Sequence, residues 1–265
     1  MQTTTRFALT AVTATALIVP LALAATAGVG TTSPAASHAL RCAQPGPYDL
    51  PHGSERVDLE PAEFTARIDN PYWPMRVGTH WVYAETDSSG GRQRVDVTVT
   101  DRTKMIRGIK ARVVHDVVTE GGEIVENTFD WYAQDSGGSI WYLGEFTREY
   151  EDGEPVTTEG SFEYGVDGAQ AGVVVPAEPV AGCGFRQEYY KGEAEDRARI
   201  LTTRDDIKVE GTKYRNVMST SDRVPTEPFV LEHKFYGEGV GPVLVAGISP
   251  SDAREVLLRV TGPGH

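Results

Sequence analysis

Residues Ile109–Asp135, IKARVVHDVVTEGGEIVENTFDWYAQD, decide how the rest of the chain is read. Two strand-like runs flank Glu120-Gly121-Gly122-Glu123, and a Gly-Gly pair supplies the positive φ angles of a tight hairpin turn. The first arm is β-branched (Val113, Val114, Val117, Val118). The second ends in Phe129, Trp131 and Tyr132, and both compositions suit a pleated, half-buried surface. Alternation sets Val113, His115 and Val117 against Arg112, Val114, Asp116 and Val118. It likewise sets Asn127, Phe129, Trp131 and Ala133 against Thr128, Asp130, Tyr132 and Gln134. No face is purely apolar, so the hairpin is expected inside a sheet covered at least partly on both sides.

Strand patterns continue outward from this hairpin. On the N-terminal side they are His80–Glu85 and Gln93–Thr100. On the other side they are Ser139–Leu143, Thr147–Glu151, Thr157–Tyr164, Arg186–Lys191, Ala198–Thr203, Asn216–Ser221, Phe229–Tyr236, Val243–Ala246 and Glu255–Val260. Turn signals separate many of them, such as Ser89-Gly90-Gly91, Gly137-Gly138, Asp152-Gly153 and Asp167-Gly168. Val95, Val97 and Val99 against Asp96, Thr98 and Thr100 give the cleanest one-sided alternation. The expected fold is all-β, a large antiparallel meander curled into a half-barrel or barrel of lipocalin-like shape. A two-sheet sandwich is the alternative. A short helical turn is expected at Pro61–Ile68. Residues Gly165–Pro179, rich in Gly, Ala and Val, read as a loop, either a lid over the sheet end or an ordinary connection.

The first 39 residues read as a signal peptide and leader, and residues 40–265 as one β domain. Arg6 precedes an uncharged run of Ala, Thr, Leu and Val, with small-residue cleavage sites at Ala22-Leu23-Ala24, Ala25-Thr26-Ala27 and Ser37-His38-Ala39. The other reading of that run is an uncleaved membrane anchor. After cleavage no stable membrane insertion is expected. Arg41 directly before Cys42 argues against lipid attachment. Export places the two cysteines, Cys42 and Cys183, in an oxidising space, where a bridge between them is expected.

The 265-residue chain carries 38 Asp and Glu against 25 Lys and Arg, a formal net charge of −13. Such a surface repels phosphate backbones and anionic lipid, which disfavours nucleic-acid and membrane-surface roles.

The segment NPYWPMRVGTHWVY, residues 70–83, resembles the entry motif of exported bacterial β-sheet proteins of actinobacterial type, whose activity is unassigned. In that motif Asn-Pro-aromatic-aromatic-Pro leads through Gly-Thr to an aromatic strand. The likeness continues through VVHDVVTEGGEIVENTFDWYAQDSGGSIWYLGE and RQEYYKGEAED to HKFYGEGVGPV, covering most of the chain beyond the leader. The last element, YGEGVGPV, is similar to a strand-turn-strand signature of periplasmic and lipoprotein β-meanders. The resemblance implies a β fold and an exported location, and brings no catalytic residue with it.

Gly-x-Ser-x-Gly, phosphate-loop, dinucleotide, HExxH and CxxC patterns are all missing. Among the remaining types, His115 and His233 stand beside apolar neighbours on their strands, facing either a core or a cavity. They are the candidate bases or ligand contacts, with Asp130 and Glu188 as candidate carboxylate partners. Hydrogen-bonded core histidines are the structural alternative. No metal and no cofactor is expected. Aromatic residues recur as adjacent pairs, so each pair gives one ring to each face of its strand. Trp and Tyr rings in a pocket stack on a sugar or cover a lipid.

These readings converge on an exported binding protein that holds a small-molecule or lipid-like amphipathic ligand in its concavity, with contacts from His115, Trp131, Tyr189 and His233. The alternatives are an acid/base enzyme (lyase, isomerase or hydrolase) acting on an exported metabolite or glycan, and a structural envelope protein. Peptide mapping without reductant should recover Cys42 and Cys183 on one cross-linked fragment; two separate free-thiol peptides would contradict the bridge.

Overall fold

The computed structural model describes residues 41–86 and 90–265. The expected leader, residues 1–39, lies outside the described residues, as does Ser89 of the first turn signal. A 3-10 turn at Pro61–Glu63 leads into β1 (Phe64–Thr65). The long strands of the first half are β2 (His80–Thr86), β3 (Arg92–Ile106), β4 (Ile109–Glu120), β5 (Glu123–Asp135) and β6 (Ile140–Glu151). Short pieces follow: β7 (Glu154–Thr157), β8 (Phe162–Glu163), β9 (Gln170–Val175), β10 (Gly184–Arg186) and β11 (Glu188–Tyr189). The second half is β12 (Arg197–Val209), β13 (Thr212–Val224), β14 (Glu227–Gly237), β15 (Gly241–Ser249) and β16 (Arg254–Thr261).

The central hairpin forms in the expected register, with Glu120 opposite Glu123 across the Gly-Gly turn. Its strands lie inside one antiparallel sheet ordered β10-β12-β13-β14-β15-β16-β2-β3-β4-β5-β6-β9-β11. The two ends of that order are consecutive in the chain. β10 pairs with β12, and after a single residue, Gln187, β11 pairs with β9. One segment, Gly184–Tyr189, therefore hydrogen-bonds to both edges of the meander and bends it into a barrel with one unsealed seam. Closure removes most of the exposed edge that an open sheet would present. The barrel reading is thereby chosen over the sandwich.

The seam is built tightly. A side chain at Gly172 of β9 would place its Cβ 2.3 Å from the Gln187 backbone, so only glycine lets the closing strand approach. Arg186, 1% exposed, sends Nη1 to the carbonyls of Gly53 (2.9 Å) and Glu55 (2.7 Å) and Nη2 to that of Ala171 (2.7 Å). It ties the seam to β9 and to the segment that wraps the barrel's outside. Burial pulls its pKa down to about 10, which leaves it charged at neutral pH. The bridge Cys42–Cys183 fastens the same wrapping segment beside β10.

The motif residues Asn70–Pro74 form the floor. The Asn70 amide nitrogen donates to the carbonyls of Gly138 (2.9 Å) and Pro176 (3.2 Å), and its oxygen accepts from the Tyr72 N–H (2.9 Å). Gln134 Oε1 accepts the N–H groups of Asp69 and Asn70. The Pro71 carbonyl takes the Gly239 N–H from the β14–β15 turn (2.7 Å). These bonds join turns from opposite sides of the barrel. Outside, Leu50, Leu59, Ile68 and Met75 are buried, and Tyr48 and Phe64 pack against Trp141.

Several sequence expectations need correction. The stretch Gly165–Pro179 is neither lid nor simple connection: its centre is β9, paired with β6 and β11. A strand buried on both faces lacks the apolar–polar alternation by which strands are read. Ser139–Leu143 and Thr147–Glu151 are one strand, β6, whose register shifts near Gly144. Only Pro61–Glu63 of the expected helical turn is helical, and Phe64 is already strand. Of Thr157–Tyr164, only Thr157 and Phe162–Glu163 are strand.

Arg186→Met preserves length and apolar volume but removes all three carbonyl contacts. We expect a loss of roughly 3–5 kcal/mol in denaturant unfolding, the range for orphaning several buried polar groups. A loss below about 1 kcal/mol would remove Arg186 from its role at the seam.

Candidate functional site: an acidic lumen

Alternation along the strands puts one residue set into the barrel. From β5 these are Glu126, Thr128, Asp130 and Tyr132; from β6, Tyr142, Glu145, Thr147 and Glu149. β2 adds Tyr83 and Glu85, and β14 adds Glu232, Lys234 and Tyr236. Along each of these strands a tyrosine sits towards the Trp73 end and carboxylates sit further out. The enclosed cavity is about 330 Å³, the low end for small-molecule sites.

The floor is aromatic. Trp73 packs against Tyr132 (5.5 Å between centroids) and Tyr236 (6.2 Å), and Tyr132 stacks on Tyr142 (4.7 Å). Gly241 makes room for the indole, since a Cβ there would lie 2.7 Å from Trp73 Cδ1. One arc of wall, from β3 and β4, carries Val95, Val97, Val114 and Val118, interrupted by Asp116. The remainder is acidic. Eleven carboxylates line the cavity against two cations, Lys234 and Arg254.

This interior electrostatics is unfavourable by construction. Taking a carboxylate out of water disfavours its charged form, and neighbouring carboxylates disfavour it further. Burial, aided by Glu126, pushes Asp130 up to about 7, although it accepts a hydrogen bond from Tyr142 Oη at 2.6 Å. Burial with Asp222 and Glu232 nearby takes Asp196 to about 7, against the pull of Lys234. Burial and Glu85 take Glu255 to about 8. Asp116, Glu145 and Glu188 are raised well above the ordinary range, first by burial and then by nearby carboxylates, Asp130 for Asp116 and Glu145 and Asp196 for Glu188. Burial works against the Lys234 charge. The surrounding Asp222, Tyr236, Glu232 and Asp196 outweigh it and hold the ammonium firmly protonated, 3.3 Å from Asp222.

Of the candidates taken from sequence, Asp130 and Glu188 line the lumen. The two histidines do not. His115 stands between Val114 and Asp116, both of which face inward, so alternation turns it outward. It stacks on Phe129 (4.4 Å, 9°) and hydrogen-bonds Asn127 at 2.9 Å. His233 is likewise turned out between the inward Glu232 and Lys234. The imidazoles sit on strands five steps apart in the sheet order, about 24 Å along it. They share no pocket, which corrects the expectation that both face a hollow side. The apolar neighbours that suggested a cavity, such as Val117 and Phe235, are half-buried residues of the outer face.

Trp131 also faces outward, into a second, more open cavity of about 630 Å³ with Phe129, Phe146 and Tyr190. Its ring is covered by Lys104, whose Nζ lies 3.2 Å from the ring centroid and 2.7 Å from Glu163. Tyr189 lines neither cavity; its backbone pairs with Gln170 at the seam. Sequence reasoning passed over the acid-and-tyrosine pattern on single strand faces: Tyr83 with Glu85 and Asp130 with Tyr132, two apart, and Glu232 with Tyr236, four apart. That spacing was the available signal. The pair Tyr142 and Glu145 was hidden by the bulge at Gly144, which shifts parity.

Among the described residues, no group of three or more His, Cys, Asp or Glu is placed to hold a metal ion, and no helix is long and apolar enough to cross a membrane.

No family model matches the sequence, and no curated protein matches it. Two solved structures are similar. One is from Bacteroides fragilis, described as an exported protein with a YmcC-like fold; it is 12% identical, with 73% of this chain and 100% of that chain covered and a TM-score of 0.44. The other, described as a lipoprotein from Parabacteroides distasonis, is 14% identical over 72% of this chain and 99% of that chain, with a TM-score of 0.37.

The raised carboxyls set the pH dependence of stability. In the unfolded chain they titrate near pH 4. In the barrel Asp130 and Asp196 titrate near 7 and Glu255 near 8. Between those values the unfolded chain has lost protons that the folded chain keeps, so stability falls as pH rises. For the ligand-free protein, we expect the melting temperature to drop by roughly 5–10 °C from pH 5 to pH 8.5. Asp196→Asn should flatten that slope. A melting temperature constant or rising over the interval would contradict the lumen electrostatics.

Proposed function

We propose that this is an exported binding protein whose barrel lumen holds one small amphipathic ligand. The leader pattern and the Cys42–Cys183 bridge support export, since such bridges persist in oxidising compartments. The observation that carries the binding reading is the division of one partly enclosed cavity into a valine wall, an aromatic floor and a ring of hydrogen-bonding groups. A cavity kept only for stability would be filled with apolar side chains, because buried carboxylates weaken the fold. Retaining them is expected where a ligand repays the loss.

One observation favours a second reading. Asp130, shifted to about 7 and hydrogen-bonded to Tyr142, has the properties of an acid/base pair. In an enzyme built on this lumen those two residues would do the proton transfer. No histidine lines the cavity, so the imidazole base expected from sequence has no place in it.

Native mass spectrometry of protein purified from its own host should show a retained small molecule. Val118→Trp, which fills the valine wall, should reduce retention at least tenfold, while His115→Ala and His233→Ala should leave it unchanged. Retention that survives filling the lumen, or that vanishes with either histidine, would move the site elsewhere.

A further inference from the structure

The seam strand does something unusual for a strand: two adjacent residues, Gln187 and Glu188, both line the cavity. They can because the chain changes partner between them, from β12 to β9, which breaks the alternation. Glu188 is 1% exposed, and neither of its carboxyl oxygens has a hydrogen-bond partner. Gln187 Oε1 and Asp196 Oδ1, on residues each 6% exposed, are also unpartnered. So is Asp116 Oδ1 across the barrel. Leaving such atoms unmatched costs about 1–3 kcal/mol apiece, so in native proteins each calls for an explanation.

These unmatched atoms have a common character. They are carboxyl and amide oxygens, set among buried carboxyl groups that disfavour one another's ionisation; an unmatched donor, Trp73 Nε1, lies apart from them on the floor. An anionic ligand would add to the repulsion. A neutral hydroxyl would donate one hydrogen bond and leave the charge imbalance untouched. An ammonium group brings three donors and a positive charge together. The resident Lys234 does not fill this role for Glu188: its Nζ lies 3.3 Å from Asp222, and neither Glu188 oxygen has a hydrogen-bond partner. The valine wall lies across the barrel from the seam, and the aromatic floor lies below, so an apolar body has somewhere to rest.

We propose that the lumen is a receptor for a small amphipathic amine, whose ammonium docks on Glu188 at the seam and whose apolar body lies along the valine wall. The proposal rests on the reading of the lumen as the ligand site. In the empty barrel burial, with Asp196, Glu145 and Asp130 nearby and Lys234 opposing, raises the Glu188 carboxyl well above its ordinary range. Docking of an ammonium ionises it, and its proton passes to solvent.

The test is titration calorimetry of the intact protein near pH 7 with three probes of one chain length: octylamine, octanol and octanoate. Octylamine should bind at least tenfold more tightly than octanol, and octanoate should not bind. Repeating the octylamine titration in two buffers of different ionisation enthalpy should reveal net proton release. Glu188→Gln should weaken octylamine at least tenfold and leave octanol unchanged. If that variant does not fold, the proton release of the unmodified protein decides. Octanol or octanoate binding as tightly as octylamine, or octylamine binding without proton release, would overturn the ammonium site and leave the lumen as a ligand site. Failure of all three probes to bind would remove both.

Discussion

The barrel depends on a six-residue segment satisfying two sheet edges at once. Gly184–Tyr189 bonds to β12 with its first half and to β9 with its second. Without it the meander would end in two unpaired edges, each a row of unsatisfied N–H and C=O groups. With it, every long strand has neighbours on both sides, and the inward residues enclose a space. Gly172, Arg186 and the Cys42–Cys183 bridge all serve that closure, by allowing approach, supplying charge-assisted bonds and fastening the outer segment. The cavity and its unmatched polar atoms exist because the seam exists.

Enclosure turns ordinary surface chemistry into a high-energy interior. Glu232 and Glu255 would be unremarkable on an open sheet. Facing other carboxylates around a cavity of about 330 Å³, they resist ionisation. The fold tolerates this because part of its apolar core lies outside the barrel, where the wrapping segment with Leu50, Leu59 and Ile68 packs on the sheet. Stability and site are thus divided between the two faces of one sheet. The outer face supplies packing, the inner face supplies polar chemistry, and period-two alternation keeps them apart.

The Asn70–Pro74 motif gains a physical meaning from this division. Asn70 joins the β5–β6 turn to the end of β9, and Pro71 joins the β14–β15 turn. Trp73 then projects into the lumen and supports the tyrosine layer. A barrel with an open end would admit water along its whole length. The floor gives the interior a closed end, at which a ligand meets the aromatic layer.

The sequence by itself determined the strand content, the hairpin at Gly121-Gly122, the antiparallel meander and the cysteine pair. These follow from local signals: β-branched runs, paired glycines, alternation, and the count of two cysteines. It also placed Asp130 and Glu188 among the candidates. Which face of each strand looks inward was decided only by tertiary structure. For His115 and His233 both faces carry apolar residues, and alternation says which residues share a side without saying which side is enclosed. The strand β9 was illegible because full burial erases polarity contrast. The meeting of Glu188, Asp196, Asp130 and Lys234 from separate strands was illegible because it is set by closure at the seam, a long-range contact with no local sequence signature.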